Sequence, residues 1–168
     1  MNLAKNFTAT AGPINWRRLA IAAPAAAALN MTLLFLLFMN PLSQRIIFDE
    51  SGAGQSPKLV AVWTEIEPVP SLASLAPALI VTPLIYSFVF ALLHPAIPGK
   101  SGLHKGVVFG LILWGLIAVF FELFTPSGLF GEPAHLLAYE LSLWLAALVA
   151  VGAVLGAMYR ASEEPQSA

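Results

Sequence analysis

Four long apolar runs constrain this chain more than any other feature of its sequence. They cover residues 19–39, 72–93, 106–124 and 136–158. Each is close to the length of about 20 residues that an α-helix needs to cross a hydrocarbon core about 30 Å thick. Because backbone polar groups must pair internally in lipid, each run predicts a transmembrane helix. The sequence therefore predicts an all-α membrane protein, a four-transmembrane-helix bundle.

Composition supports lipid as the solvent and excludes several functional classes. Of the 168 residues, 58% are hydrophobic and 10% are charged, whereas a soluble domain has about 25% charged residues. A net charge of −1 offers no basic surface for nucleic acid. The chain has no cysteine, which excludes disulfides, thiolate metal sites and cysteine nucleophiles.

The distribution of basic residues predicts the orientation of the bundle. Four spans place the N-terminal tail, the 94–105 loop and the C-terminal tail on one side. Six of the eight basic residues fall on that side, namely Lys5, Arg17, Arg18, Lys100, Lys105 and Arg160. Basic residues favour the cytoplasmic side, so both termini are expected in the cytoplasm. With the chain's small size, this bias favours a multi-pass protein of a bacterial inner (cytoplasmic) membrane.

The expected organisation is one membrane domain with two tails. Residues 1–18 form a cytoplasmic tail, 19–160 the transmembrane domain and 161–168 a polar, disordered tail. The apolar run after Arg17 and Arg18 extends well past its alanine-rich part, which favours an uncleaved first helix over a signal peptide.

The outer loop, residues 40–71, is the one sizeable segment expected outside the membrane. Its runs "QRIIFD" and "KLVAVWTEI" are rich in β-branched residues, and the turn-like "ESGAGQSP" separates them. This pattern predicts a small extracytoplasmic β-hairpin between helices 1 and 2. The alternative is an amphipathic segment that lies on the membrane surface.

Paired glycines predict where two of the spans touch. Gly106 and Gly110 open the third span, and Gly152 and Gly156 close the fourth. Small residues four positions apart let membrane helices approach closely. The two spans are antiparallel, so both pairs lie in the cytoplasmic half, and we expect contact there. The alternative is that these glycines are scattered without a packing role, since glycine is common in membrane helices.

Two glutamates stand inside the apolar runs. Glu122 is sixteen residues after Gly106, and Glu140 is sixteen before Gly156. At 1.5 Å per residue both carboxylates lie about 24 Å from the glycine level, near the outer interface. His135 and Tyr139 share a helix face at the start of the fourth span. We therefore predict an outer polar cluster of Glu122, His135, Tyr139 and Glu140.

The direction and the role of these carboxylates stay open at the sequence level. Each glutamate lies about 120° around its helix from the nearer glycine, so it faces either the bundle or another subunit. Carboxylates in lipid pair, take up protons or face water. The sequence favours a structural interfacial pair; a proton-handling site, a contact to another chain and a metal site at Glu122, His135 and Glu140 are the alternatives.

No cofactor is predicted. No spacing matches a metal motif, which weakens the metal alternative. The three histidines, His94, His104 and His135, lie at span ends and form no transmembrane pair, which argues against haem.

The sequence has no catalytic motif and little mass outside the membrane, so a non-enzymatic role is favoured. The leading hypothesis is an accessory or assembly subunit of a membrane complex. The alternatives are a small transporter or proton-handling module that uses Glu122 and Glu140, and a membrane enzyme with its site at the outer surface. The expected partners are the lipid bilayer and other membrane subunits or a second copy of the chain, but not nucleic acid.

Overall fold

The computed structural model describes residues 14–49, 54–65 and 71–159, and every regular element in these ranges is a helix. Four helices are long and apolar enough to cross a membrane: Trp16–Phe38, Ala73–Leu93, Gly102–Leu129 and Ala134–Met158. The prediction of four helices long and apolar enough to span a membrane is therefore confirmed. The predicted tails beyond these ranges, with Lys5 and Arg160, lie outside the described residues, and the orientation of the bundle stays a prediction.

The helices follow one another with short connections. The first four are α1 (Trp16–Phe38), α2 (Pro41–Ile47), α3 (Pro57–Thr64) and α4 (Leu72–Leu93). The third span comprises α5 (Gly102–Leu113), a π-helical turn (Trp114–Ala118), α6 (Val119–Glu122) and a second π-helical segment (Leu123–Leu129). The last helix is α7 (Ala134–Met158).

The predicted outer β-hairpin is wrong. The two β-branched runs lie largely in α2 and α3. Asn40 and Ser56 each cap a helix with a side-chain oxygen, and a proline occupies the first helical position after each cap. Such caps and a proline at that position start helices, and here they outweigh the weaker β preference of the residues that follow.

The core occupies the end of the bundle where α1 begins and α7 ends, here called the termini end. α5 packs most extensively on α7, and α1 packs on both α7 and α4. The Tyr159 hydroxyl accepts a hydrogen bond of 3.2 Å from the backbone N–H of Asn15, which links the start of α1 to the end of α7. Buried side chains from all four spans meet there, among them Ala22, Phe90, Phe109 and Leu155.

The contact between α5 and α7 runs along the paired glycines. Gly106 and Gly110 lie against Gly152, Gly156 and Leu148, and all five are buried. A Cβ atom built on any of these glycines would lie within about 3 Å of the opposing backbone. The two backbones therefore approach so closely that these positions leave no room for a side chain.

Candidate functional site

Three buried glutamates meet at the opposite end of the bundle, here called the loop end. Glu122 ends α6, Glu132 lies in the connection between the third and fourth spans, and Glu140 lies in the second turn of α7. Their exposed fractions are 2%, 5% and 8%. One carboxylate oxygen from each lies within 4.8 Å of the others. We call these three side chains the carboxylate cluster.

The π-helical turn at Trp114–Ala118 explains the direction of Glu122. An uninterrupted α-helix would place Glu122 about 120° from Gly110. A π-turn holds one additional residue, so the same count with one residue removed gives about 20°. Glu122 therefore shares the face that packs on α7, and its Oε1 accepts a 2.6 Å hydrogen bond from Trp144 Nε1. The carboxylate faces the bundle.

Gln55, which lies just before the cap of α3, contacts the other two carboxylates. Gln55 Nε2 donates to Glu132 Oε1 at 3.0 Å and to Glu140 Oε1 at 2.7 Å. The backbone N–H of Gln55 donates to the carbonyl of Ile47 at 2.7 Å, which holds Gln55 against the end of α2. The hydrogen-bond donors from Gln55 and Trp144 are both neutral, so neither of them balances the charge of a carboxylate.

Three acceptor oxygens in or beside the carboxylate cluster have no donor among the described residues. These are Oε2 of Glu122, Oε2 of Glu132 and Oε1 of Gln55, and all three atoms are buried. A buried acceptor without a partner loses its hydration without compensation. The arrangement therefore offers surplus acceptor capacity to a species that carries positive charge or N–H and O–H donors.

Glu132, which lies between the spans, shows the electrostatic character of the cluster. Burial raises the pKa of Glu132, and hydrogen bonds with Gln55 and Glu140 act against this rise. The electrostatic interaction with the nearby His135 imidazole also acts against it. The net direction is upward, so the protonated form of Glu132 is favoured relative to an ordinary carboxyl.

The structure brings together part of the polar cluster that the sequence predicts. Glu122 and Glu140 meet, and Glu132 joins them. The exposed His135 acts on Glu132 through its charge. Tyr139 makes a different contact, because successive helix positions diverge by about 100°; its hydroxyl shares a 2.8 Å hydrogen bond with Ser43 Oγ at the start of α2.

Sequence reasoning missed Glu132, Gln55 and the polar role of Trp144. Glu132 stands in the turn "GEP" and Gln55 in the turn-like "ESGAGQSP", where polar residues are ordinary. No local pattern distinguishes either from a solvated loop residue. Trp144 reads as a packing residue in an apolar helix, and its indole N–H becomes informative only when Glu122 is placed opposite it.

A cavity of about 390 Å³ adjoins the cluster. Glu122, Glu140 and Gln55 provide polar groups, and the remaining wall is mainly apolar. Apolar lining residues include Phe38, Ile47, Phe48, Leu59, Val60 and Phe121. The volume falls in the range of about 300–1,000 Å³ that holds small organic ligands in proteins.

The cluster could also hold a metal ion. Carboxylate oxygens are the ligands that Mg²⁺, Ca²⁺ and Mn²⁺ prefer. Bonds of about 2.0–2.6 Å to one ion place opposite ligands about 4–5 Å apart, which the 4.8 Å limit of the cluster satisfies. Glu132 thus takes the place that the sequence-based metal hypothesis gave to His135.

Comparisons with protein-family models, with curated proteins and with solved structures find no match for this chain.

Proposed function

We propose that this integral membrane protein binds a cation at the carboxylate cluster, as a small cation transporter or cation-binding module does. The observation that carries the proposal is the meeting of Glu122, Glu132 and Glu140 within 4.8 Å, each more than nine-tenths buried. The donors that Gln55 and Trp144 supply to them are neutral.

Charge balance supports this proposal over a purely structural pair. An ionised carboxylate away from water is costly unless it is paired, and like charges this close raise the cost further. Ionisable residues inside membrane helices commonly mark ion and proton pathways. A structural pair would be expected to satisfy its own acceptors, whereas Glu122 and Glu132 each keep a buried oxygen without a donor among the residues described.

The experiment is thermal unfolding of the purified protein with added cations. Mn²⁺, Ca²⁺ and 4-phenylbutylammonium are titrated separately into wild type, Glu140→Gln and Glu65→Gln. Glu65 is exposed and is a charge-matched control outside the cluster. A ligand at a hundred times its Kd stabilises the native state by about 2.7 kcal/mol.

We expect at least one cation to raise the unfolding midpoint of wild type and Glu65→Gln, and to have a smaller effect on Glu140→Gln. If all three proteins respond alike, or none responds, the proposal is wrong.

The accessory-subunit role is a separate proposal that rests on the small extramembrane mass. Native mass spectrometry of the gently extracted protein tests it. A stoichiometric membrane partner supports this role, and a chain released alone or only with copies of itself contradicts it.

A further inference from the structure

We propose that the cation is organic: a small aryl- or alkylammonium whose N–H groups bind the carboxylate cluster while its apolar body fills the adjoining cavity. This inference rests on the proposed function and names its substrate class. It draws on three features: the carboxylates, the apolar wall and an aromatic pair beside them.

The acceptor pattern favours a cation with N–H donors. Glu122 lines the cavity, is 2% exposed and has an Oε2 atom without a partner among the described residues. An ammonium supplies both positive charge and directed donors, and such charge-assisted hydrogen bonds are the stronger kind. A quaternary ammonium supplies the charge without the donors, so it satisfies less of the site.

The wall of the cavity favours an apolar body on that cation. Phe38, Ile47, Phe48, Leu59 and Val60 line it beside the polar groups. A hydrated inorganic ion at the carboxylates would leave this wall against water, whereas an aryl or alkyl group removes it from water. Pockets for small organic ligands combine an apolar lining with a few polar groups in this way.

An aromatic pair adjoins the cluster and suits the same ligand. The rings of Phe38 and Trp144 lie 5.1 Å apart between centroids, and both line the cavity. Trp144 also donates to Glu122. Aromatic faces attract ammonium groups by cation–π interaction, with tryptophan the best of them. A carboxylate and an indole therefore lie together where the cationic end would bind.

A phospholipid ammonium is a poorer fit than a free amine. Its phosphate follows the ammonium closely and would bring negative charge towards three carboxylates. Phosphatidylcholine has no N–H ammonium, so nanodiscs made with this lipid exclude a lipid ammonium as the ligand in the experiment.

The experiment is calorimetric titration of 4-phenylbutylammonium into the full chain in phosphatidylcholine nanodiscs, with protein-free nanodiscs as the partitioning control. Matched ligands are 4-phenylbutanol, which lacks the charge, and 4-phenylbutyltrimethylammonium, which lacks the N–H donors. Mn²⁺ is titrated in parallel. The protein variants are Glu140→Gln, the control Glu65→Gln, and the cavity-filling Val60→Phe and Leu59→Trp.

We expect saturable binding of the ammonium at one per chain. The alcohol and the quaternary ammonium should each bind wild type at least about tenfold more weakly than 4-phenylbutylammonium does. Glu140→Gln should bind 4-phenylbutylammonium at least about tenfold more weakly than wild type does. Val60→Phe and Leu59→Trp should bind 4-phenylbutylammonium with a similarly reduced affinity, while keeping the wild-type unfolding midpoint in ligand-free nanodiscs. Glu65→Gln should bind it as wild type does.

The outcomes separate the two proposals. Mn²⁺ binding that depends on Glu140, without ammonium binding, overturns the organic ligand and leaves the cation site standing. Equal binding of the alcohol and the ammonium also overturns it, as does full ammonium binding to a folded cavity-filling variant. If neither cation binds, both proposals fail.

Discussion

At the scale of single residues, the hydrogen bond between Trp144 and Glu122 shows how an apolar helix can accommodate a carboxylate. The indole N–H of Trp144 supplies the one donor that Glu122 receives among the described residues. The same side chain also lines the cavity together with Glu122. Trp144 therefore acts both as packing and as a polar partner.

Replacing Trp144 by phenylalanine should destabilise the protein by about 1–3 kcal/mol, because it leaves a buried acceptor without its donor. Chemical unfolding in detergent measures the free energy. The loss should be smaller in a Glu122→Gln background, since residues in contact couple. Strictly additive losses in the two backgrounds would contradict a direct interaction between these side chains.

The raised pKa of Glu132 predicts that the stability of the protein depends on pH. Burial raises its pKa above the ordinary value of 4.5, so the folded state favours the protonated form. The stabilisation that Glu132 contributes is therefore complete below its unfolded pKa and is lost as the pH rises through the higher folded pKa.

Glu132→Gln should consequently reduce the fall in stability as the pH rises above the ordinary carboxyl pKa of 4.5. Unfolding midpoints across this range, in buffer without added metal or amine, provide the measurement, with the exposed Glu65→Gln as control. An unchanged slope in Glu132→Gln would show that the Glu132 carboxyl does not titrate differently on folding.

At the scale of helices, the sequence predicts where the spans and their glutamates lie better than it predicts the direction in which the glutamate side chains point. The four spans follow from run length, and the equal counts from Gly106 to Glu122 and from Glu140 to Gly156 place the carboxylates near the same bundle end. Their directions do not follow, because the π-turn before Glu122 rotates everything after it by about 100° relative to a regular helix. No residue pattern in "WGLIA" predicts that π-turn.

The loop between the first and second spans shows a second limit of sequence reasoning. Its β-branched runs indicate strands locally, whereas Asn40–Pro41 and Ser56–Pro57 start helices. The position of Gln55 over the cluster depends on how those two short helices dock. A tertiary contact of this kind cannot be predicted from the periodicity of the sequence.

The glycine contact between α5 and α7 gives a prediction at this scale. A Cβ atom at Gly152 would overlap the backbone of α5, whereas one at Gly115 would meet open space. Gly152→Ala should therefore destabilise the protein by about 1–3 kcal/mol, through overpacking.

Gly115→Ala is the control and should be neutral or stabilising by up to about 1 kcal/mol, the helix preference of alanine over glycine. Unfolding free energies of the two variants in the same detergent provide the comparison. Equal effects would exclude close backbone packing as the role of Gly152.

At the scale of the whole molecule, one end of the bundle is closely packed and the other holds the polar groups and the cavity. The termini end is closed by the glycine contact and by buried side chains from all four spans. The loop end carries the carboxylate cluster, the two short helices and the cavity. Close packing at one end thus positions the spans that bring the polar groups together at the other.

The predicted orientation can be tested directly because the chain has no native cysteine. Glu65→Cys and Lys100→Cys are exposed positions on opposite sides of the predicted arrangement. A membrane-impermeant maleimide should label Glu65→Cys in intact spheroplasts, and Lys100→Cys only after permeabilisation. Labelling of both from the outside would contradict the four-span topology, and the reverse pattern would contradict the orientation.

The central claim is that a cation binds where Glu122, Glu132 and Glu140 meet. The most direct measurement is modification by dicyclohexylcarbodiimide, an apolar reagent for protonated carboxyls, located by peptide mass spectrometry with and without Mn²⁺ or 4-phenylbutylammonium. We predict saturable protection of these three glutamates by at least one of the cations, with no change at Glu65. Modification of the three glutamates that neither cation reduces would contradict the claim.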